Sequence, residues 1–78
     1  MLIRYVTSLM RTAHYEKLED GRYYGEIAEC PGVWSEETTL ESCRETLQEV
    51  LEEWILLKLR AGDPLPVADG IDLVVKAA

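Results

Sequence analysis

The sequence predicts an α+β domain of element order α-β-β-β-α-β, an antiparallel three-stranded meander with one long helix packed on it. Three observations predict it. Polar and apolar residues mix over His14–Leu18, alternate over Tyr23–Ala28 and resume at Val33–Glu36, with breaks at Asp20-Gly21 and Pro31-Gly32. Alternation of period two belongs to strands whose two faces meet different surroundings. From Leu40 to Ala61 the apolar residues instead recur every three or four positions, the spacing of a helix face.

In chain order, Leu2, Tyr5, Val6, Leu9 and Met10 share one side of a helix over about residues 2–11, with Arg4, Thr7 and Arg11 on the other. A helix this short is marginal alone in water, so it must dock on the sheet or on another subunit. Glu19-Asp20-Gly21-Arg22 carries the Asp-Gly hairpin signal between the first two strands. Cys30-Pro31-Gly32 ends the second strand, because proline lacks a donor N–H and glycine permits positive φ. Thr38 and Glu41 stand in capping-box register before the long helix. Leu40, Cys43, Leu47, Val50, Leu51, Trp54, Leu57 and Ala61 form its expected apolar stripe, with Glu45, Glu49, Glu52 and Glu53 on the far side. Lys58 and Arg60 suit the negative end of the helix dipole, and Gly62 is placed to end the helix. Asp63-Pro64-Leu65-Pro66 reads as an extended connector, and alternation at Ile71, Leu73 and Val75 predicts a last strand over about residues 71–75.

The 78 residues make a single expected domain, 1–78. A chain of this size buries only about 60% of the surface its unfolded form exposes, so it leans on one well-filled core or on a partner. The net charge of −7 disfavours nucleic-acid binding by bulk electrostatics and suits a basic protein partner. Two cysteines are too few for a disulfide scaffold. No signal-peptide pattern or apolar run of membrane-spanning length is visible, so a cytoplasmic location with reduced thiols is expected.

No set of side chains points firmly to chemistry. Glu16, Glu26 and Glu36, one per strand, are the nearest approach to the clustered carboxylates of a two-metal nuclease. Such sites lean on Asp, and the three strands contain none; one solvent-facing glutamate per strand is the simpler reading. Cys30 and Cys43 have the wrong spacing for zinc, and His14 is the sole histidine. Cys43 should pack as a small hydrophobe, whereas Cys30 in the corner should be the more exposed thiol. No catalytic residue, cofactor or metal is therefore expected. Leu56 and Leu59 fall among or beside the glutamates, away from the stripe, and are the candidate oligomer contact of a dimer or larger assembly.

The ordered set Tyr23, Tyr24, Pro31, Gly32, Val33, Thr39, Leu40, Glu41 and Cys43 resembles the HicB family of bacterial antitoxins, over about residues 13–61. The family pattern is an aromatic strand, a Pro-Gly-Val turn and a polar segment leading into Thr-Leu-Glu-x-Cys/Ala at a helix start. The resemblance implies a partial ribonuclease-H-like sheet with the last strand beside the first, and no catalysis. It implies as partner a basic HicA-type toxin that cleaves mRNA, neutralised by occlusion of its RNA-binding surface. Glu45, Glu49, Glu52 and Glu53 are the candidate contacts to it. Many HicB-type antitoxins add a helix-turn-helix or ribbon-helix-helix segment. Nothing after the long helix here is basic or long enough for one, so a stand-alone domain with no direct DNA binding is expected. The N-terminal helix is an addition to the family pattern. The alternative is a homo-oligomeric interaction domain of the same fold with no cognate toxin.

Overall fold

A computed structural model describes residues 2–68 and Gly70. Its elements are α1 (Leu2–Arg11), β1 (His14–Lys17), β2 (Tyr23–Glu26), β3 (Trp34–Glu37) and α2 (Leu40–Ala61). These are the expected elements in the expected order. The last expected strand, 71–75, lies outside the described residues.

The three strands form one antiparallel sheet of order β1-β2-β3. Its register aligns Tyr15, Gly25 and Ser35 across the sheet, and Glu16, Tyr24 and Glu36 in the adjacent row. Successive side chains point to opposite faces of a pleated strand, so these two rows lie on opposite sides. The first faces α2, as the contacts of Ser35 with Cys43 establish. The second is the open face.

Both turns are fixed by local chemistry. In the first, the Gly21 N–H donates to the Leu18 carbonyl and the Leu18 N–H to the Arg22 carbonyl, while the Asp20 carboxylate accepts from the Arg22 N–H at 3.0 Å. Gly21 sits at φ 88°, a conformation costly for a residue with a Cβ. In the second, Cys30 closes two turns at once: its N–H donates to Ile27 and its carbonyl accepts from Val33. That double closure folds the corner back on the core, so Ile27, Cys30 and Val33 are all buried.

The cap of α2 is Thr39 rather than Thr38. β3 runs to Glu37, and Thr39 holds the extended backbone (φ −127°, ψ 156°) from which its hydroxyl accepts the Ser42 N–H at 3.1 Å. The cap expected at Thr38, with Glu41, thus falls one residue later, with Ser42 three positions on as its partner. Glu41 remains in the first turn, where the dipole favours its charge. At the other end Gly62 is left-handed (φ 71°), its N–H donating to Leu59 and that of Asp63 to Lys58. This pair of bonds is a Schellman motif, and Lys58 adds an ion pair to Asp63 at 3.8 Å.

The buried face of α2 differs from the expected stripe. Cys43, Leu47, Leu51 and Ile55 are buried, whereas Leu57 is 61% exposed and Leu40 and Ala61 are exposed too. Ile55 is absent from the expected stripe. A strict spacing of four advances about 40° per step around an α-helix, so the buried line rotates by about 120° over three steps. It starts against the sheet, where Cys43 meets Ser35, and ends against α1, where Ile55 lines a groove with Leu2, Ile3 and Val6. Two different neighbours, one after the other, explain why no single straight stripe fits.

α1 runs antiparallel to α2: Leu2 and Ile3 line one hollow with Leu56 and Leu59, and Met10 and Arg11 line a second with Arg44 and Gln48. It buries Tyr5, Val6, Leu9 and Met10 in the one core cluster that α2 and the corner also enter. The connector after α2 closes that cluster with Leu65 and Ala68, and the Tyr5 hydroxyl donates to the Pro66 carbonyl.

Candidate interaction surfaces

The open face of the sheet carries two aromatic rings among carboxylates. Trp34 is diagonal to Tyr24 across β2 and β3, the two rings stacked with centroids 6.0 Å apart and planes 23° apart. The Tyr24 hydroxyl donates to Glu26 at 3.1 Å. Its pKa is raised, first by desolvation, then by this bond and by the charges of Glu26 and Glu16. Glu36 faces Arg22 at 3.6 Å across the same surface. Trp34 stays 54% exposed.

The three strand glutamates thus share one face, but Tyr24 stands between Glu16 and Glu36 in the cross-strand row. Among the described residues, no group of three or more His, Cys, Asp or Glu could hold a metal ion. Exposed His14 lies on this side of β1, opposite Glu26.

The inner face is tightly packed. Ser35 donates to the Cys43 carbonyl at 2.8 Å, which satisfies a buried polar group, and also lies 3.3 Å from the Cys43 sulfur. The buried Tyr15 hydroxyl has no hydrogen-bond partner. Its pKa is raised, chiefly by burial, against the opposing charge of Arg44.

Both cysteines are free and buried. The expectation that Cys30 would be the exposed thiol is overturned, because the doubly closed corner turns it inward. Burial, with a smaller contribution from Glu29, pushes its pKa from 9.0 up to about 11. At neutral pH that shift lowers the thiolate fraction roughly a hundredfold, before any effect of limited access. A disulfide reagent should label Cys30 at least about a hundredfold more slowly in the native protein than in the urea-unfolded chain. The native state holds this proton more tightly than the unfolded chain does. The associated stability is therefore intact below about pH 9 and is lost as the pH rises through about 11.

On α2, Glu45, Glu49, Glu52 and Glu53 are all exposed. Glu45, Glu49 and Glu53 follow one another at spacings of four and form a row of like charge. Glu52 is turned toward α1, accepts from the Gln48 amide at 3.2 Å and lines the groove between the helices. Leu56 and Leu59 border that groove, which encloses about 330 Å³, and remain 53% and 40% exposed. So α1 reaches both leucines without covering either. Sequence reasoning singles out neither the Tyr24–Trp34 pair nor Ser35. Their signal is positional and needs the strand register.

The fold and its surfaces define a helix-backed antiparallel meander with acidic exposed faces and an apolar groove between its two helices. The chain belongs to the UPF0150-like family, whose model matches residues 4–66. It is similar to the crystal structure of TTHA0281 from Thermus thermophilus, with a TM-score of 0.88 and 36% sequence identity. That likeness covers 97% of this chain and 95% of the other. No curated protein matches the chain. None of the described helices is long and apolar enough to cross a membrane.

Proposed function

We propose that this chain is a non-catalytic, antitoxin-like protein that binds a basic HicA-type mRNA-cleaving toxin and occludes its RNA-binding surface. Membership of the UPF0150-like family, which is HicB-like in type, carries the reading. The resemblance of Tyr23 through Cys43 to the HicB pattern and the net charge of −7 support it. Occlusion asks for complementary charge and shape rather than for an acid, a base and a nucleophile. In this reading the row Glu45, Glu49 and Glu53, with Glu52 beside it, steers the basic partner in from a distance. The cytoplasm, where its mRNA-cleaving partner acts, is the proposed location.

The test is binding to the basic protein encoded beside this chain's gene. We expect a complex whose association rate falls on the order of tenfold or more between low and half-molar salt. Replacing the four helix glutamates by glutamine should slow association several-fold and change dissociation little. No complex at any salt concentration would refute the proposal.

A second reading, a homo-oligomeric interaction domain without a toxin, is favoured by the helix groove. Ile3 is 82% exposed and lines an apolar groove with Leu56 and Leu59. A two-fold dimer uses the same patch on both subunits, and in this reading the exposed apolar groove meets its own copy. A monomeric mass by light scattering at high protein concentration would eliminate it.

A further inference from the structure

We propose that the open face of the sheet is the docking surface for the basic partner, and that the Tyr24–Trp34 pair is a platform for one of its arginine side chains. The inference rests on the reading above that the partner is basic, and it assigns the anchor to the sheet rather than to α2.

Large aromatic side chains left in water beside carboxylates need a reason. Trp34 is 54% exposed although its neighbour Ser35, on the other face, is buried. Its ring stacks on that of Tyr24, whose hydroxyl is in turn bonded to Glu26. The result is a two-ring shelf formed before anything binds. Glu16 and Glu36 flank Tyr24 in the register, and Glu26, opposite Trp34, accepts the Tyr24 hydroxyl bond.

A planar guanidinium suits this arrangement on three counts. It stacks on an aromatic face, it pairs with a carboxylate through two parallel N–H donors, and it sheds its hydration more readily than an ammonium. Arg22 already approaches Glu36 from within the chain at 3.6 Å, with both side chains 40% exposed. That loose pair can exchange for a partner's guanidinium.

Charge selects the occupant. Three carboxylates face one guanidinium around the shelf, so two copies of this face would set like charge on like charge, and nucleic acid would meet the same repulsion. A protein presenting arginines is the complementary partner. Rigid aromatic anchors chiefly set the dissociation rate, while outlying charges set the encounter rate. The helix glutamates and the sheet platform therefore have separable roles.

The two tryptophans make a built-in reporter. Trp34 lies on the open face, and Trp54 lies on α2 with the Lys58 ammonium 5.4 Å from its ring centroid. The full chain, labelled with ¹⁵N, is titrated with hexa-arginine and hexa-lysine peptides at physiological salt while both indole N–H signals are followed. We expect the Trp34 indole and the Tyr24, Glu26 and Glu36 amides to shift, with the Trp54 indole still. Hexa-arginine should bind about tenfold more tightly than hexa-lysine. Trp34→Ala should remove that preference, and Glu36→Gln should halve it or more, whereas the quadruple glutamine variant of α2 should leave it within about twofold. Shifts centred on Trp54, equal affinity for the two peptides, or a preference that survives Trp34→Ala would each overturn the proposal. A neighbouring basic protein that binds with its footprint on α2 would sink this surface and leave the antitoxin reading standing. A footprint at Trp34 without inhibition of any ribonuclease would do the reverse.

Discussion

Leu51→Ala is expected to cost about 3–5 kcal/mol of stability, the largest effect of any single truncation in α2. Leu51 is fully buried and sits midway along the rotating face, between the sheet-facing Cys43 and the groove-lining Ile55. Removing it opens a cavity in the core cluster that α1, α2 and the Cys30 corner share. A chain of this length has roughly 4–12 kcal/mol in total, so the truncation should remove about a quarter of it or more. Leu57→Ala is the matched control. The two leucines are alike in a straight-stripe reading of the sequence, yet Leu57 is 61% exposed and its truncation should cost no more than about 0.5 kcal/mol. Urea denaturation of the two variants checks this. Equal shifts in midpoint would contradict the rotated face.

Gly25→Ala is expected to destabilise by about 1–3 kcal/mol, for a purely steric reason. Its backbone is not left-handed, unlike that of Gly21, so no conformational strain enters. A methyl group there would stand 2.9 Å from two carbons of the Tyr15 ring and 3.2 Å from the Cys43 sulfur. Glycine in the middle of a strand forgoes a side chain so that something else can approach closely. Here α2 approaches through Cys43, and Tyr15 leans across from β1. The clash with the ring should vanish when the ring is removed, leaving only the 3.2 Å approach to the Cys43 sulfur. Gly25→Ala in a Tyr15→Ala background should therefore cost at least about 1 kcal/mol less than in the natural sequence, measured by denaturant unfolding of the four-member cycle. Simple additivity would show that the close approach is absent.

These two sites also mark how far the sequence can be read. Element order and helix ends are legible because they rest on local signals: Asp-Gly and Pro-Gly turns, a hydroxyl before the long helix and Gly62 after it. The cap slips by one residue because Thr38 and Thr39 both have an acceptor, and only the end of β3 decides between them. The course of the buried face is not legible, since it depends on which neighbour α2 meets along its length. Cys30 misleads because a Pro-Gly corner is usually a surface turn, and the two hydrogen bonds that draw it inward join residues of the same loop. The exposed helix glutamates are readable from period alone. The Tyr24–Trp34 shelf is not, because it exists only once the register sets Glu26 opposite Trp34 and Tyr24 opposite Glu36.

In the proposed function this chain silences a basic RNA-cleaving partner by covering it. The direct measurement is cleavage of a synthetic mRNA by the purified neighbouring basic protein as this chain is added. Occlusion predicts that cleavage falls in proportion to the added chain, stops at a fixed stoichiometric ratio, and returns when salt separates the pair. It also predicts that the chain alone leaves the RNA whole with magnesium or manganese present. Undiminished cleavage at excess chain, or RNA cut by this chain itself and spared by Glu26→Gln, would contradict it.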